Sequence, residues 1–584
     1  MTKVDCSEDL SMIQSYQLAL EPVQAFDSAR VQFISAGRME GWRATVSVKL
    51  PDTAAFFMRN RESLVSSEFG PDVRAQVSCF DGDLNSQGLV ILGDTQSHIY
   101  VLIGALSAER SLTYFSVHVR QKRLNRVSIW QPDVKAEADV EPIIVLEGND
   151  WRELLKAYAE RTREYAKMEP LAVESASRLG YCSWYYTYQN VTESEFTESL
   201  AVLREHKEAF PVKYAQIDDG YQSHHGDWLV TNQNWPSSLE QVAGKISGTG
   251  FVPGIWAMPL LATTTSELFK EHPDWFIQDP HAEGALIIPG WSPPPEERWV
   301  CLDGSHPGAQ GYLKHVFSTL YRWGYRYFKL DGLGLSYPDG RRHDPHSTGI
   351  SCLRECLRII REATADSIIL SCGGPLLPCL GLAEHARISG DTGKFWKAEG
   401  VPGLAGLRAM DDWETQDPAM PSLSNALQQS LQSWWRYDRW FRADPDVVML
   451  RDENTNLTEG EARMSGLVAM MTGVVFTSDR LDRMGQERID LLARVSALRL
   501  HDMEPLHLEQ RGPLSLFIGR QGQRKALAIF NWSSSSVTYD LANSGLFAGS
   551  VQEVLQPWGH LSDLCEIPKR DAILLVELEC EPEF

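Results

Sequence analysis

The chain is short of positive charge. Its 55 Lys and Arg stand against 78 Asp and Glu, a net charge of −23, which repels phosphate backbones and anionic lipid and argues against nucleic acid as a partner. Long apolar runs are missing as well. The most apolar stretch, SGLVAMMTGVVFT (465–477), is broken by Gly and Thr and falls short of the ~18 residues that a spanning helix needs, so no membrane partner is expected. The opening MTKVDCSEDLSMIQSYQLALEP carries acids where a signal peptide has a basic region and has no continuous apolar core of about 7–15 residues, so the expected location is the cytoplasm. The ten Cys (6, 79, 182, 301, 352, 356, 372, 379, 565 and 580) contain no CxxC pair, which excludes a zinc ribbon and leaves free thiols in a reducing compartment as the plain reading. Internal repeats, low-complexity tracts and coiled-coil heptads are absent too.

What is present is the composition of an ordinary globular protein, 43% hydrophobic, 23% charged and 10% aromatic. At roughly 100–200 residues per domain, 584 residues make more than one folding unit. Eighteen Trp offer flat apolar faces of the kind that suit the C–H side of a pyranose ring, although most Trp in any protein are core.

Residues 1–150 carry short β-rich runs such as ATVSVKL, SHIYVLIGAL and LTYFSVHV between polar turns, the pattern of an antiparallel β domain. The segment 151–178 begins with WRELLKAYAERTREYAKM, which has the helix period and stops at Pro170, so it reads as a helical linker. From 179 to 500 apolar runs alternate with amphipathic segments: YCSWYY (181–186), VKYAQID (212–218), FVPGIWA (251–257), YRYFKLD (325–331), SIILSC (367–372), HARIS (385–389), DVVMLR (446–451) and VVFTSD (474–479). Eight such runs over this length predict a (β/α)8 barrel with insertions. Thr192 and Glu195 predict a capping box at one helix start. In 501–584 the alternating runs LSLFIGR, KALAIFNW and AILLVELE predict a small antiparallel β domain.

The active site of a (β/α)8 barrel lies at the C-terminal ends of its strands. Several runs are bounded by carboxylates: Asp218 and Asp219, Asp331 with Lys329 two residues before it, Asp391 after HARIS, and the Asp444-Pro445-Asp446 turn that precedes DVVMLR. One such Asp is best explained as a helix cap. Four together form a ring of acids that repels itself and calls for a function. Two carboxylates facing across a barrel mouth suit glycoside hydrolysis, with retention if they sit about 5–5.5 Å apart and inversion if wider. Lys329 would help keep Asp331 ionised. His343, Asp344 and His346 in RRHDPH match no zinc signature, so no metal is expected.

The blocks GYCSWYYTYQNVTE, YAQIDDGYQ, GDWLVTNQNWP, FVPGIWAMP, EHPDWFI, GYRYFKLDG, LSCGGPLLPCLGLAEHARISGDTGKFW and ADPDVVMLR run in order from about Gly180 to Asp479. In this order they resemble glycoside hydrolase family 36, the α-galactosidase or melibiase family, in its shorter bacterial form. The resemblance implies a central TIM barrel flanked by an N-terminal β-sandwich and a C-terminal β domain. It also implies a retaining α-galactosidase that acts on small oligosaccharides such as melibiose or raffinose without a cofactor. Asp331 matches the family's nucleophile and Asp391 its general acid/base. Asp218 and Asp219 fall where the family binds the 4- and 6-hydroxyls, and Lys329, Cys372, Gly373 and Arg387 fall around the other hydroxyls. Trp184, Trp256 and Trp396 would form apolar walls.

Two departures bear on specificity. FFMRNRESLVSSEFG (56–70) lacks the Trp that many members carry in an N-terminal loop, and Gly332 stands where many members have a larger residue after the nucleophile. An α-N-acetylgalactosaminidase, a transglycosylase and a sugar-binding protein without turnover therefore stay open beside the leading expectation. So does a homo-oligomer.

Overall fold

Parallel strands buried on both faces read as short, nearly continuous apolar runs, and such runs build the centre of this molecule. The structure, a computed structural model, describes residues 29–33, 42–48, 55–61, 72–77, 82–94, 99–120, 123–134, 139–169, 178–288, 297–396, 422–506, 514–547, 550–555 and 564–578. It divides into two units, Met1–Arg61 with Arg74–Ala166, and Glu62–Val73 with Lys167–Phe584.

The first unit holds two five-stranded sheets. One runs Ala29–Phe33, Trp42–Val48, Arg123–Gln131, Tyr114–Arg120, Gly82–Gln87, and the other Ile143–Gly148, Ile99–Ala105, Leu89–Asp94, Ala55–Arg61, Asp72–Val77. Every pairing whose register is resolved in them is antiparallel. The helix Trp151–Tyr165, expected as part of a link, packs on the second of these sheets, where the Tyr158 hydroxyl donates to the Ala105 carbonyl at 2.6 Å. The Trp-free stretch 56–70 lies largely outside the described residues, and no side chain in it is described.

The barrel in the second unit has nine strands: β1 (Leu179–Cys182), β2 (Tyr214–Ile217), β3 (Val252–Ala257), β4 (Tyr327–Leu330), β5 (Ile368–Ser371), β6 (His385–Arg387), β7 (Arg442–Asp444), β8 (Val447–Val448) and β9 (Val475–Thr477). They pair in parallel in chain order from β1 to β7, and β1 also pairs with β9, which pairs with β8. Each of the eight expected runs contributes to it, with two differences. The run 181–186 is a strand only to Cys182, because the chain turns at Ser183 into a helical turn Trp184–Thr187. The seventh run, expected at 446–451, is a strand only at Val447–Val448, and a strand that the sequence reading missed, Arg442–Asp444, precedes it; Pro445, which lacks an N–H, and Asp446, at φ +79°, separate the two. Arg442–Asp444 pairs with β6 and Val447–Val448 with β9, and a bridge between Ala443 and Gly473 brings the two ends of the sheet together. Close packing also dictates Gly180: a Cβ there would lie 2.2 Å from the Phe476 ring.

The capping box forms as expected. Glu195 N–H donates to Thr192 Oγ1 at 3.2 Å, and Thr192 N–H donates to the Glu195 carboxylate at 3.1 Å, starting the helix Glu193–Glu205. Thr192→Ala is expected to cost about 1 kcal/mol, read as a lower melting temperature with unchanged kinetics.

A short antiparallel insert of Leu261–Thr263, Trp299–Cys301 and Ile287–Ile288 interrupts the chain between β3 and β4. After the helix Gln486–Ala497, five strands form the C-terminal sheet in the order Leu500–Pro505, Leu514–Gln521, Arg524–Asn531, Asp571–Glu577, Val551–Glu553. Its core includes Leu516, Leu527, Ile529 and Leu575. It is tied to the barrel helix Glu459–Thr472 by the Arg463 guanidinium, which donates to both oxygens of Asp571 at 2.9 and 2.5 Å. Among the described residues no helix is long and apolar enough to cross a membrane.

Candidate active site

The strand ladders run one residue past the strand ends and set the mouth of the barrel. Asp331 N–H donates to the Ala257 carbonyl at 2.9 Å, and Cys372 N–H to the Leu330 carbonyl at 2.8 Å. The Asp331 carboxylate is fixed by two donors, Trp256 Nε1 at 3.0 Å on Oδ2 and Gly332 N–H at 2.7 Å on Oδ1. Gly332 makes that second bond at φ +67°, a conformation suited to glycine. A Cβ there would lie 2.8 Å from Leu261 and 3.0 Å from the Met258 sulfur. Neighbours already fill that space, so the missing side chain at 332 does not by itself widen the mouth.

Lys329 precedes Asp331 by two residues on β4 and so shares its side of the strand. Its Nζ donates to Asp218 Oδ2 at 2.9 Å, with both side chains buried. Asp218 also accepts from Gln216 Nε2 at 2.6 Å, the Cys182 thiol at 3.3 Å and, on Oδ1, the Asp219 N–H at 3.0 Å. Lys329 thus has Asp218 as its bonded partner and acts on Asp331 through its field. Burial alone would raise the Asp331 carboxyl, but Lys329, the Trp256 indole and the Gly332 N–H together hold it below the usual carboxylate range. Burial would likewise lower the Lys329 ammonium, and Asp218 outweighs it, keeping the amine protonated.

Asp219 is only half-buried. Its Oδ1 accepts from Gln222 Nε2 at 2.6 Å and lies 3.3 Å from His225 Nε2. These partners overcome burial and hold this carboxyl below its ordinary value. The His225 ring packs edge-on against Trp228, Trp256 and Trp299. The insert between β3 and β4 therefore buttresses this side of the mouth.

On the opposite side Arg387, at the end of β6, donates from Nη2 to Asp391 Oδ1 at 2.5 Å. The guanidinium is 2% exposed and the Asp391 side chain 49% exposed, so the cation is fixed while the carboxylate faces solvent. The same Nη2 lies 2.7 Å from Asp446 Oδ2 and 3.2 Å from the Tyr185 hydroxyl. Cys372 is buried 4.0 Å from Arg387 Nη1. Gly373 turns the chain beside it at φ +64°, and its carbonyl accepts the Gly334 N–H at 2.6 Å.

Of the three expected walls, Trp256 is buried against Asp331. Trp184 is half-buried on the turn after β1, edge-on to Tyr188 at 5.4 Å. Trp396 lies against Trp532 of the C-terminal sheet at 5.9 Å and under Arg570. Among the described contacts, none joins Trp396 to the carboxylate set. The sequence reading did not single out Tyr185, Asp446 or His225 as site residues. Tyr185 was hidden in an aromatic run that reads as strand. Asp446 was noted only as part of an acidic turn, and its link to Arg387 depends on the break between β7 and β8.

Comparison with known proteins gives this arrangement its context. The melibiase family model matches residues 181–287, which carry Trp184, Asp218, Asp219 and Trp256. Over that segment the chain is similar to glycoside hydrolase family 36, the melibiase family. An α-galactosidase of Escherichia coli is 27% identical over 141 residues, 23% of this chain and 19% of that protein. An A type blood alpha-D-galactosamine galactosaminidase of Flavonifractor plautii is 23% identical over 304 residues, 48% of this chain and 28% of that protein. The aligned segments thus span less than a third of these melibiase relatives. The α-galactosidase of Thermus thermophilus, solved with p-nitrophenyl α-D-galactopyranoside, superposes with a TM-score of 0.65 at 23% identity, covering 88% of this chain and 98% of its own. The family 36 α-galactosidase AgaA of Geobacillus stearothermophilus gives 0.62 at 12% identity, covering 94% and 80%. At such identities the solved structures show that the multidomain barrel is a melibiase fold.

Proposed function

We propose that this chain is a retaining α-galactosidase that removes terminal α-linked galactose from small oligosaccharides such as melibiose and raffinose. The observation that carries this reading is the contrast between two acids at the barrel mouth. Asp331 is half-buried, bonded by Trp256 and Gly332 and held ionised by Lys329. Asp391 is half-exposed on the far side of the mouth. Two carboxyls with such different partners suit different roles. Asp331 then attacks the anomeric carbon while Asp391 protonates the departing oxygen, and Asp391 afterwards takes a proton from the water that releases the sugar. Asp219, half-buried and held by Gln222, grips a sugar hydroxyl, and a sugar lacking that hydroxyl leaves the acceptor unpaired. Cys182, Cys301, Cys352, Cys356 and Cys372 are buried free thiols, which suits a reducing cytoplasm.

A second reading has one specific support. The Flavonifractor relative, named for galactosamine, aligns over 304 residues where the Escherichia coli α-galactosidase aligns over 141. The test is nitrophenol release from α-nitrophenyl glycosides of galactose, N-acetylgalactosamine, galactosamine and glucose, with the first-formed anomer followed by NMR. Fast release from the galactoside with α-galactose appearing first is the expected result. Preference for either 2-amino sugar moves the assignment to the second reading, and β-galactose appearing first overturns retention.

A further inference from the structure

One buried guanidinium serves two acids. Arg387 Nη2 lies 2.5 Å from Asp391 Oδ1 and 2.7 Å from Asp446 Oδ2. Asp446 holds a left-handed backbone at φ +79°, which among residues other than glycine only Asp and Asn adopt with any ease. Its Oδ1 accepts the Val447 N–H at 2.8 Å, and its Oδ2 accepts the Thr392 N–H at 2.8 Å. Thr392 directly follows Asp391. One carboxylate therefore fixes both the cation that faces Asp391 and the backbone that carries Asp391.

A second buried acid is not needed to neutralise Arg387, because Asp391 already pairs with it, and burying an extra carboxylate is costly. We infer that Asp446 is a positioning residue for the acid/base step: by sharing Arg387 and accepting the Thr392 N–H it holds both the cation that faces Asp391 and the backbone that carries Asp391, so that Asp391 meets the leaving oxygen. This rests on the reading of Asp391 as the acid/base.

The other charged and titratable groups facing this trio are Lys329 on β4 and Asp331 just after it, Asp444 on β7, Cys372 after β5, and Tyr185 and Tyr188 after β1. Burial pushes the Asp446 carboxyl up, Arg387 opposes it, and Asp391 raises it further. That is the behaviour of two acids titrating around one cation. Removing the Asp446 charge leaves Arg387 to Asp391 alone and removes a like charge from its neighbourhood. Both changes tighten the Arg387–Asp391 pair and weaken proton delivery to the leaving oxygen.

The test is the pH dependence of kcat/KM for melibiose and for p-nitrophenyl α-galactoside in wild type and Asp446→Asn. Asn nearly matches Asp in shape and tolerates the same φ. The alkaline limb for melibiose is expected to move down by about 1 pH unit, with roughly tenfold less activity above it. The acid limb, set by Asp331, stays in place. The nitrophenyl substrate, whose leaving group needs little help from an acid, loses less. A uniform fall with both limbs unmoved would mark Asp446 as merely structural and overturn the inference. If the Asn variant melts before assay, Asp446→Gly removes the same charge and suits the same backbone. The reading of Asp391 is checked without touching Asp446: if Asp391→Ala turns over melibiose as fast as wild type, that reading falls and takes this inference with it.

Discussion

Asp331→Asn is expected to lower kcat on p-nitrophenyl α-galactoside by about 10⁴-fold or more while leaving the melting temperature nearly unchanged. Asn keeps the shape of the side chain and retains an oxygen for the Gly332 N–H or the Trp256 indole. Lys329 keeps its bonded partner, because its 2.9 Å contact is to Asp218 and not to Asp331. The variant thus loses a nucleophile without stranding a buried cation. Asp331→Ala sharpens the test. With azide in the emptied space, attack on the anomeric carbon expels nitrophenolate and forms the β-glycosyl azide, since azide arrives from the face that the carboxylate leaves. Activity within tenfold of wild type, or an α-glycosyl azide, would place the nucleophile elsewhere.

The legible and illegible parts of this molecule differ in kind. The barrel was readable because strands buried on both faces are apolar throughout and stop at polar residues, so Asp218, Asp331 and Cys372 marked the strand ends from the pattern alone. The capping box was readable because Thr192 and Glu195 satisfy each other within four residues. The partner of Lys329 was not readable. Proximity in sequence pointed to Asp331, whereas the register of β2, β3 and β4 brings Asp218 against the amine. The same limit hid the Arg387–Asp446 pair, whose members are 59 positions apart and meet only because the chain breaks at Pro445 and β7 pairs with β6. Trp396 shows the converse. The family resemblance suggested a sugar wall, whereas its ring packs on Trp532, a contact set by the C-terminal sheet. Local chemistry is written locally, whereas charge pairing is written in the register of strands.

Lys329→Met is the substitution expected to cost the most stability. The ammonium is 5% exposed and Asp218 is 2% exposed, so removing the cation leaves a buried carboxylate held only by Gln216, the Cys182 thiol and a backbone N–H. Breaking one side of such a pair costs about 3–5 kcal/mol, read as a fall in the barrel's denaturation midpoint. Activity changes through a separate route. Asp331 sits below its ordinary carboxylate range partly because of Lys329, so the proposed nucleophile stays ionised as pH falls until its own lowered value is reached. Without the cation that value rises, and the acid limb of kcat/KM is expected to move up by about 1 pH unit. The double variant Lys329→Met with Asp218→Asn separates the two effects. Once the stranded charge is gone, much of the lost stability should return, because the penalty lay in an unpaired buried ion more than in a missing attraction. The acid limb should stay displaced, because Asp218→Asn restores no cation near Asp331. If the double variant is as unstable as Lys329→Met alone, then Lys329 supports the barrel mainly by packing, and its electrostatic role is confined to the nucleophile.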